Sequence, residues 1–121
     1  MSESTPAARH HRIDYIEFSV TDLPASKAFY AEVFGWAFTD YGPGYCGIQG
    51  QGKEVGGFQQ VDAVQSGGPL VVLYSSDVQA SLLAVKQAGG QILKEVFDFP
   101  GGQRFEFSDP SGNHLAVWTE T

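Results

Sequence analysis

Thr21-Asp22-Leu23-Pro24-Ala25-Ser26 and Ser76-Asp77-Val78-Gln79-Ala80-Ser81 are one pattern written twice, 55 residues apart. Asp, Ala and Ser coincide, Thr stands over Ser and Leu over Val. Asp22 reads as a helix N-cap, its carboxylate taking an orphan N–H of the first turn, where Pro24 is tolerated. The spacing predicts a helix from about Leu23 to Phe34, with Ala25, Phe29 and Val33 along one stripe. Gly35 stands where a helix end favours positive φ, and the same offset carries Gly35 onto Gly90. N-cap, helix length and C-cap thus recur together.

Outward from the helices the plan continues. Ile13–Val20 alternates apolar and other residues, the pattern of a strand with one face on a core, and Leu70–Tyr74 is its counterpart. Three shorter strand-like runs follow each helix: near Ala37–Asp40, Tyr45–Gln49 and Glu54–Gln60, then near Gln91–Phe97, Gln103–Phe107 and Asn113–Thr119. Pro43-Gly44 and Pro100-Gly101 punctuate them at matching places. By the last strands the offset is read as 60, placing Gly52 over Gly112, Gly56 over Ala116 and Phe58 over Trp118. A repeat of this kind predicts an α+β domain of two βαβββ modules, about residues 13–60 and 69–119, forming a curved mixed sheet around a cavity. Asp62–Pro69, with Ser66-Gly67-Gly68-Pro69, is the expected linker. Residues 1–12, polar and unpatterned, are expected as a flexible tail, with 13–121 as one domain.

Composition limits what such a domain can do. The 121 residues suit a single core, and 42% hydrophobic with 17% charged is ordinary for a globular protein. Fourteen acidic against seven basic residues give a net charge of −7, which argues against nucleic acid and anionic membrane surfaces as partners. The lone Cys46 fits a reducing compartment, and no apolar run approaches a membrane span or a signal peptide. The expected location is cytoplasmic.

Two stretches carry a family resemblance. Ile16-Glu17-Phe18-Ser19-Val20-Thr21-Asp22-Leu23 through Phe29-Tyr30 and Val33-Phe34-Gly35-Trp36 resembles the first module of the glyoxalase/bleomycin-resistance/dioxygenase (vicinal oxygen chelate) superfamily. Phe105-Glu106-Phe107-Ser108-Asp109-Pro110-Ser111-Gly112-Asn113-His114-Leu115 resembles its closing hairpin. In metal-dependent members, four positions on the first and last strands of the modules hold one divalent cation. The resemblance places these at Tyr15, Gly56, Leu70 and Ala116. Gly56, Leu70 and Ala116 offer no side-chain donor and Tyr15 is an unusual one, whereas such ions need three or more carboxylate, imidazole or thiolate groups. No metal and no cofactor are therefore expected. The resemblance also implies a homodimer, consistent with apolar surface expected at Phe58 and Trp118.

Period-2 alternation nominates the residues of a ligand site: Tyr15, Glu17, Tyr74, Arg104, Glu106, His114 and Trp118, with Glu54 and Phe58 flanking Gly56. Phe105 and Phe107 are assigned to the core, which sends Arg104 and Glu106 to the opposite face. Glu17 and His114 are the catalytic candidates. Glu17 is either a base with raised pKa or an ion-pair partner of Arg104. Arg104 either grips an anionic ligand or neutralises Glu17 and Glu106. His114 is either catalytic or a strand-edge histidine. Tyr15 and Tyr74 either bind ligand or fill the wall, Cys46 is a structural thiol, Trp36 a core anchor, and His10 and His11 are solvated. The favoured function is a metal-independent protein that encloses a small organic molecule. The alternative is a lyase or isomerase, lactoylglutathione-lyase-like, using Glu17 or His114 for acid–base chemistry.

Overall fold

A computed structural model describes residues 5–64 and 67–121. In chain order the elements are α1 (Pro6–Arg9), β1 (Ile13–Val20), α2 (Leu23–Phe34), β2 (Phe38–Asp40), β3 (Tyr45–Gln49), β4 (Glu54–Gln60), β5 (Leu70–Tyr74), α3 (Val78–Gln87), β6 (Gln91–Phe99), β7 (Gly102–Ser108) and β8 (His114–Glu120). The chain divides into two compact units, Tyr15–Pro69, and Leu70–Thr121 with the segment up to Asp14. Each is a βαβββ module of the expected α+β class, with strand order β2-β3-β4-β1 in the first and β5-β8-β7-β6 in the second. In each, the first and last strands pair in parallel and the remaining neighbours antiparallel. Part of the expected linker, Gln65 and Ser66, and residues 1–4 of the expected tail lie outside the described residues.

The helix signals operate as the residues require. Asp22 Oδ1 accepts from the Ala25 N–H at 3.0 Å and Asp77 Oδ1 from the Ala80 N–H at 3.1 Å, so both helices start on the same device. Gly35 takes the left-handed conformation at φ 73° and donates to the Ala31 carbonyl. The second helix departs from the expected symmetry. It ends at Gln87 with Ala88 as cap, and the positive φ falls on Gly89, not Gly90. The stripe of Ala25, Phe29 and Val33 is also corrected: Phe29 is 53% and Val33 54% exposed. The face turned inward carries Leu23 and Tyr30. Tyr30 stacks on Trp36 at 4.7 Å and meets Phe58 at 5.4 Å, so the aromatic corner after the helix decides which face is buried.

The first core gathers Leu23, Cys46, Ile48 and Phe58, supported by Phe18, Val20, Trp36 and Phe38. The second gathers Val78, Leu82, Phe105, Phe107 and Val117. Burial of the Cys46 thiol pushes its pKa up, as suits a structural role. Phe58 is fully buried and belongs to the helix-side core, so it neither lines a ligand wall nor supplies apolar surface for a dimer.

The reason is a β-bulge. Strand β3 meets β4 through Ile48↔Gly56 and then Gln49↔Glu54, skipping Val55. One extra residue in a strand reverses which face its neighbours occupy. The parallel register Ile16↔Gly56, Glu17↔Gly57 and Phe18↔Phe58 then puts Gly57, not Gly56, on the face of Tyr15 and Glu17. Cys46, Ile48 and Phe58 correspond in the core to Phe105, Phe107 and Val117, at an offset of 59. The offset of 60 holds only up to the hairpin, where Gly52 and Gly112 both have positive φ.

Candidate functional site

On the face of the first module away from its core lies a network of phenols around one carboxylate. The Tyr15 hydroxyl donates to Glu54 Oε2 at 2.9 Å, and the Tyr41 hydroxyl donates to Glu54 Oε1 at 2.6 Å. Tyr15 and Tyr45 share a hydrogen bond of 2.7 Å between their hydroxyls. The backbone makes room for these groups. A Cβ on Gly47 would stand 2.0 Å from Glu54 Oε1, and one on Gly57 would stand 2.0 Å from the Tyr45 hydroxyl. Gly47 and Gly57 face each other across β3 and β4, so two adjacent glycines form the floor of the network. Burial, and after it the bond to Tyr45, drives the Tyr15 pKa far above the ordinary phenol range. The bond to Glu54 raises that of Tyr41. Glu17 is buried on the same face, opposite Gly57.

The corresponding face of the second module carries charge. Glu106, 5% exposed, accepts from Arg104 Nη2 at 3.0 Å on Oε2 and lies 2.9 Å from His114 Nε2 through Oε1. Arg104 also lies over the Phe97 ring at 5.6 Å. The His114 side chain is 53% exposed. Phe105 and Phe107 point into the core as alternation requires, which is why Arg104 and Glu106 emerge together on the other face.

Tyr74 and Trp118 belong to a separate cluster in this module. The Tyr74 hydroxyl donates to Glu120 Oε2 at 3.1 Å, and its ring packs edge-on to Trp118 at 5.5 Å. Trp118 Nε1 donates to Asp14 Oδ2 at 2.9 Å. Arg9 closes the group: its guanidinium lies 4.1 Å over the Tyr74 ring and bonds Glu120 at 3.2 Å. Arg9 comes from the stretch expected to be a tail. His10 Nδ1 there accepts from the Ser76 N–H at 2.9 Å, and the His11 N–H donates to the Tyr74 carbonyl. An isolated arginine in a polar run gives no sequence signal for such an anchor. Tyr45 was equally hidden, since a tyrosine opening a strand looks like any other.

The expected ligand residues therefore fall into three groups: Tyr15 with the phenols, Arg104 with Glu106 and His114, and Tyr74 with Trp118. Glu17 lies beside the first. The residues at the metal-equivalent positions do not fit a divalent ion. Tyr15 already donates to Glu54, the register-corrected Gly57 has no side chain, and Leu70 and Ala116 are aliphatic. Among the described residues no three His, Cys, Asp or Glu side chains group as a metal site. No helix among them is long and apolar enough to cross a membrane.

Comparisons with known proteins agree with the geometry. The family model for the Glyoxalase/Bleomycin resistance protein/Dioxygenase superfamily matches residues 12–117. The "Putative glyoxylase CFP32" of Mycobacterium tuberculosis is 29% identical over 115 residues, covering 87% of this chain and 44% of that protein. The anthracycline biosynthesis protein DauV of Streptomyces sp. (strain C5) is 32% identical over 124 residues, covering 86% and 45%. The chain thus spans less than half the length of these curated relatives. Among solved structures, the Mn(II)-bound glyoxalase from Novosphingobium aromaticivorans superposes with TM-score 0.71 at 28% identity, over 92% of this chain and 39% of that one. Methylmalonyl-CoA epimerase from Mycobacterium tuberculosis shares the fold, with TM-score 0.71 at 12% identity over 90% and 87%. The doubled βαβββ plan and the match over nearly its whole length make this chain a member of the Glyoxalase/Bleomycin resistance protein/Dioxygenase superfamily.

Proposed function

We propose that the chain binds a small organic molecule without a metal, against the sheet face of the first module that carries the phenol network. The observation behind this reading is the donor set: Tyr15, Gly57, Leu70 and Ala116 stand where metal-dependent members carry ligands, and one phenol engaged by a carboxylate does not make a divalent site. Aromatic and amphipathic side chains with a few fixed polar groups are the usual lining of a small-molecule site. The proposal includes a homodimer and a cytoplasmic location, with neither nucleic acid nor membrane as partner. Native mass spectrometry of the purified protein is expected to show a dimer carrying a small organic adduct, and elemental analysis no stoichiometric transition metal. One tightly held metal ion per chain, lost on Tyr15→Phe, overturns the reading.

A second reading is a lyase or isomerase. Its support is the contact of His114 with Glu106, because a carboxylate that orients an imidazole is a recurrent acid–base arrangement. Turnover of a carbonyl substrate that is abolished by His114→Gln or Glu17→Gln, with folding intact, decides for this reading.

A further inference from the structure

Arg9 sits on the second module as a bound ligand would. Its guanidinium lies 4.1 Å over the Tyr74 ring, Nη2 bonds Glu120 Oε1 at 3.2 Å, and Nη1 lies 4.0 Å from Asp14 Oδ1. A ring face under a planar cation, with carboxylate at its edge, is a recurrent way of holding a guanidinium. These partners also hold one another. The Tyr74 hydroxyl donates to Glu120 Oε2, Trp118 packs edge-on to Tyr74, and Trp118 Nε1 donates to Asp14 Oδ2. Tyr74 and Trp118 are register partners across β5 and β8, and Glu120 ends β8. The receptor is thus built on the sheet, and its occupant on a short strap. The occupant is the less well held of the two. Helix α1, which carries Arg9, has four residues and buries none of them. Two residues on, His11 takes φ 66°, in the left-handed region that disfavours a residue with a Cβ. Arg9 Nε is buried with no hydrogen-bond partner, a cost that a cation free to choose its pose avoids.

We propose that the cluster of Tyr74, Trp118 and Glu120 is a binding site for a small organic guanidinium or amidinium, and that Arg9 is its built-in competitor. All of its residues lie within one compact unit, and the site is independent of the phenol face in the other. The net charge of −7 favours the approach of such a cation. A ligand enters only when Arg9 leaves, so its apparent affinity is the intrinsic one scaled by the fraction of molecules in which Arg9 is out.

Butylguanidinium, which copies the end of an arginine side chain, and its neutral isostere butylurea test this by calorimetric titration of the whole chain. Arg9→Ala is expected to bind butylguanidinium about tenfold more tightly than the unaltered protein, through release from competition. Butylurea is expected to bind that variant about tenfold more weakly than butylguanidinium, for want of the charge. Adding Glu120→Gln to Arg9→Ala is expected to weaken butylguanidinium by about tenfold, the worth of one charge-assisted bond. In the unaltered protein, NMR signals of the Arg9 side chain, displaced by the Tyr74 ring current, are expected to move toward free-arginine positions as butylguanidinium is added. This last readout needs no substitution. Absence of butylguanidinium binding to Arg9→Ala, equal binding to the unaltered protein, equal binding of butylurea, indifference to Glu120→Gln, or Arg9 signals that stay in place overturns the inference. None of these outcomes bears on the phenol face of the first module.

Discussion

Tyr45, Gly47 and Glu54 in the first module occupy the same backbone places as Arg104, Glu106 and His114 in the second. The pairs Gln49↔Glu54 and Ser108↔His114 close the two hairpins alike, and Gly47↔Gly57 matches Glu106↔Ala116. On this common frame the carboxylate has changed strands. The first module carries it on its last strand, and Gly47 stays bare because a Cβ there would collide with it. The second carries it on the strand before, and an imidazole takes the vacated place. One is satisfied by phenols, the other by a guanidinium and a histidine. Two halves with the same fold thus satisfy a carboxylate, half-buried at Glu54 and buried at Glu106, by different chemistry. What the repeat preserves is the pairing and the core, while the polar face is free to diverge.

The largest effect should come from the shared part. Phe58→Ala and Phe105→Ala each remove a fully buried ring and are expected to cost about 3–5 kcal/mol in denaturant unfolding. A cost below about 1 kcal/mol for Phe58→Ala would mean that the ring faces solvent or ligand, and would break the correspondence of the two cores.

The next effect should separate the modules. Arg104→Met leaves Glu106 without its guanidinium and is expected to cost about 1–3 kcal/mol, less than a fully buried pair because Arg104 is partly exposed. Glu54→Gln keeps one acceptor for the phenols and is expected to cost about 1 kcal/mol. Salt should attenuate the first cost and leave the second unchanged, and equal salt dependence would remove the distinction between ionic and phenolic networks.

A smaller effect should be equal in both halves. Asp22→Ala and Asp77→Ala each delete one N-cap bond, with an expected loss of about 1 kcal/mol apiece by thermal unfolding. A marked inequality would show that the caps serve the modules differently.

The last expected effect is negligible at neutral pH and appears only in alkali. Tyr15 has its folded pKa raised, by burial first and then by Tyr45. Its contribution to stability is fully present below the unfolded phenol value of about 10 and is lost as pH rises above it. Absorbance titration should show one tyrosine ionising far later than the rest, and Gly47→Ala, by displacing Glu54, should bring it earlier. Ordinary ionisation of every tyrosine would dismiss the phenol network.

What could be read in advance follows from how local each signal is. The strands Ile13–Val20, Tyr45–Gln49, Glu54–Gln60 and Leu70–Tyr74 and the helix Leu23–Phe34 have the expected bounds, because alternation and capping are written within a few residues. The faces were harder. Apolar spacing along α2 does not say which stripe is buried when Phe29 and Tyr30 both compete, and the partners that decide, Trp36 and Phe58, lie on other elements. The family match and the emergence of Arg104 and Glu106 on one face were legible. The ring of Tyr41, Tyr45 and Glu54 was not, since it depends on a register shift that no spacing announces. Arg9 was missed for a related reason, since Tyr74 and Glu120, the ring and the carboxylate that fix it, lie some sixty or more residues away.

The Val55 bulge acts on β4 as a single inserted letter acts on a reading frame. Upstream of it Glu54 is in phase with the face of Tyr15, and downstream Phe58 is in phase with the core. Without it the two would share one side, and either a charge would be pushed into oil or a benzyl ring into water. The position is therefore a parity bit for the whole strand, and its value cannot be inferred from the residue that carries it. Any splice between this strand and a relative's has to conserve the count of residues from the hairpin to Phe58 before it conserves their identities.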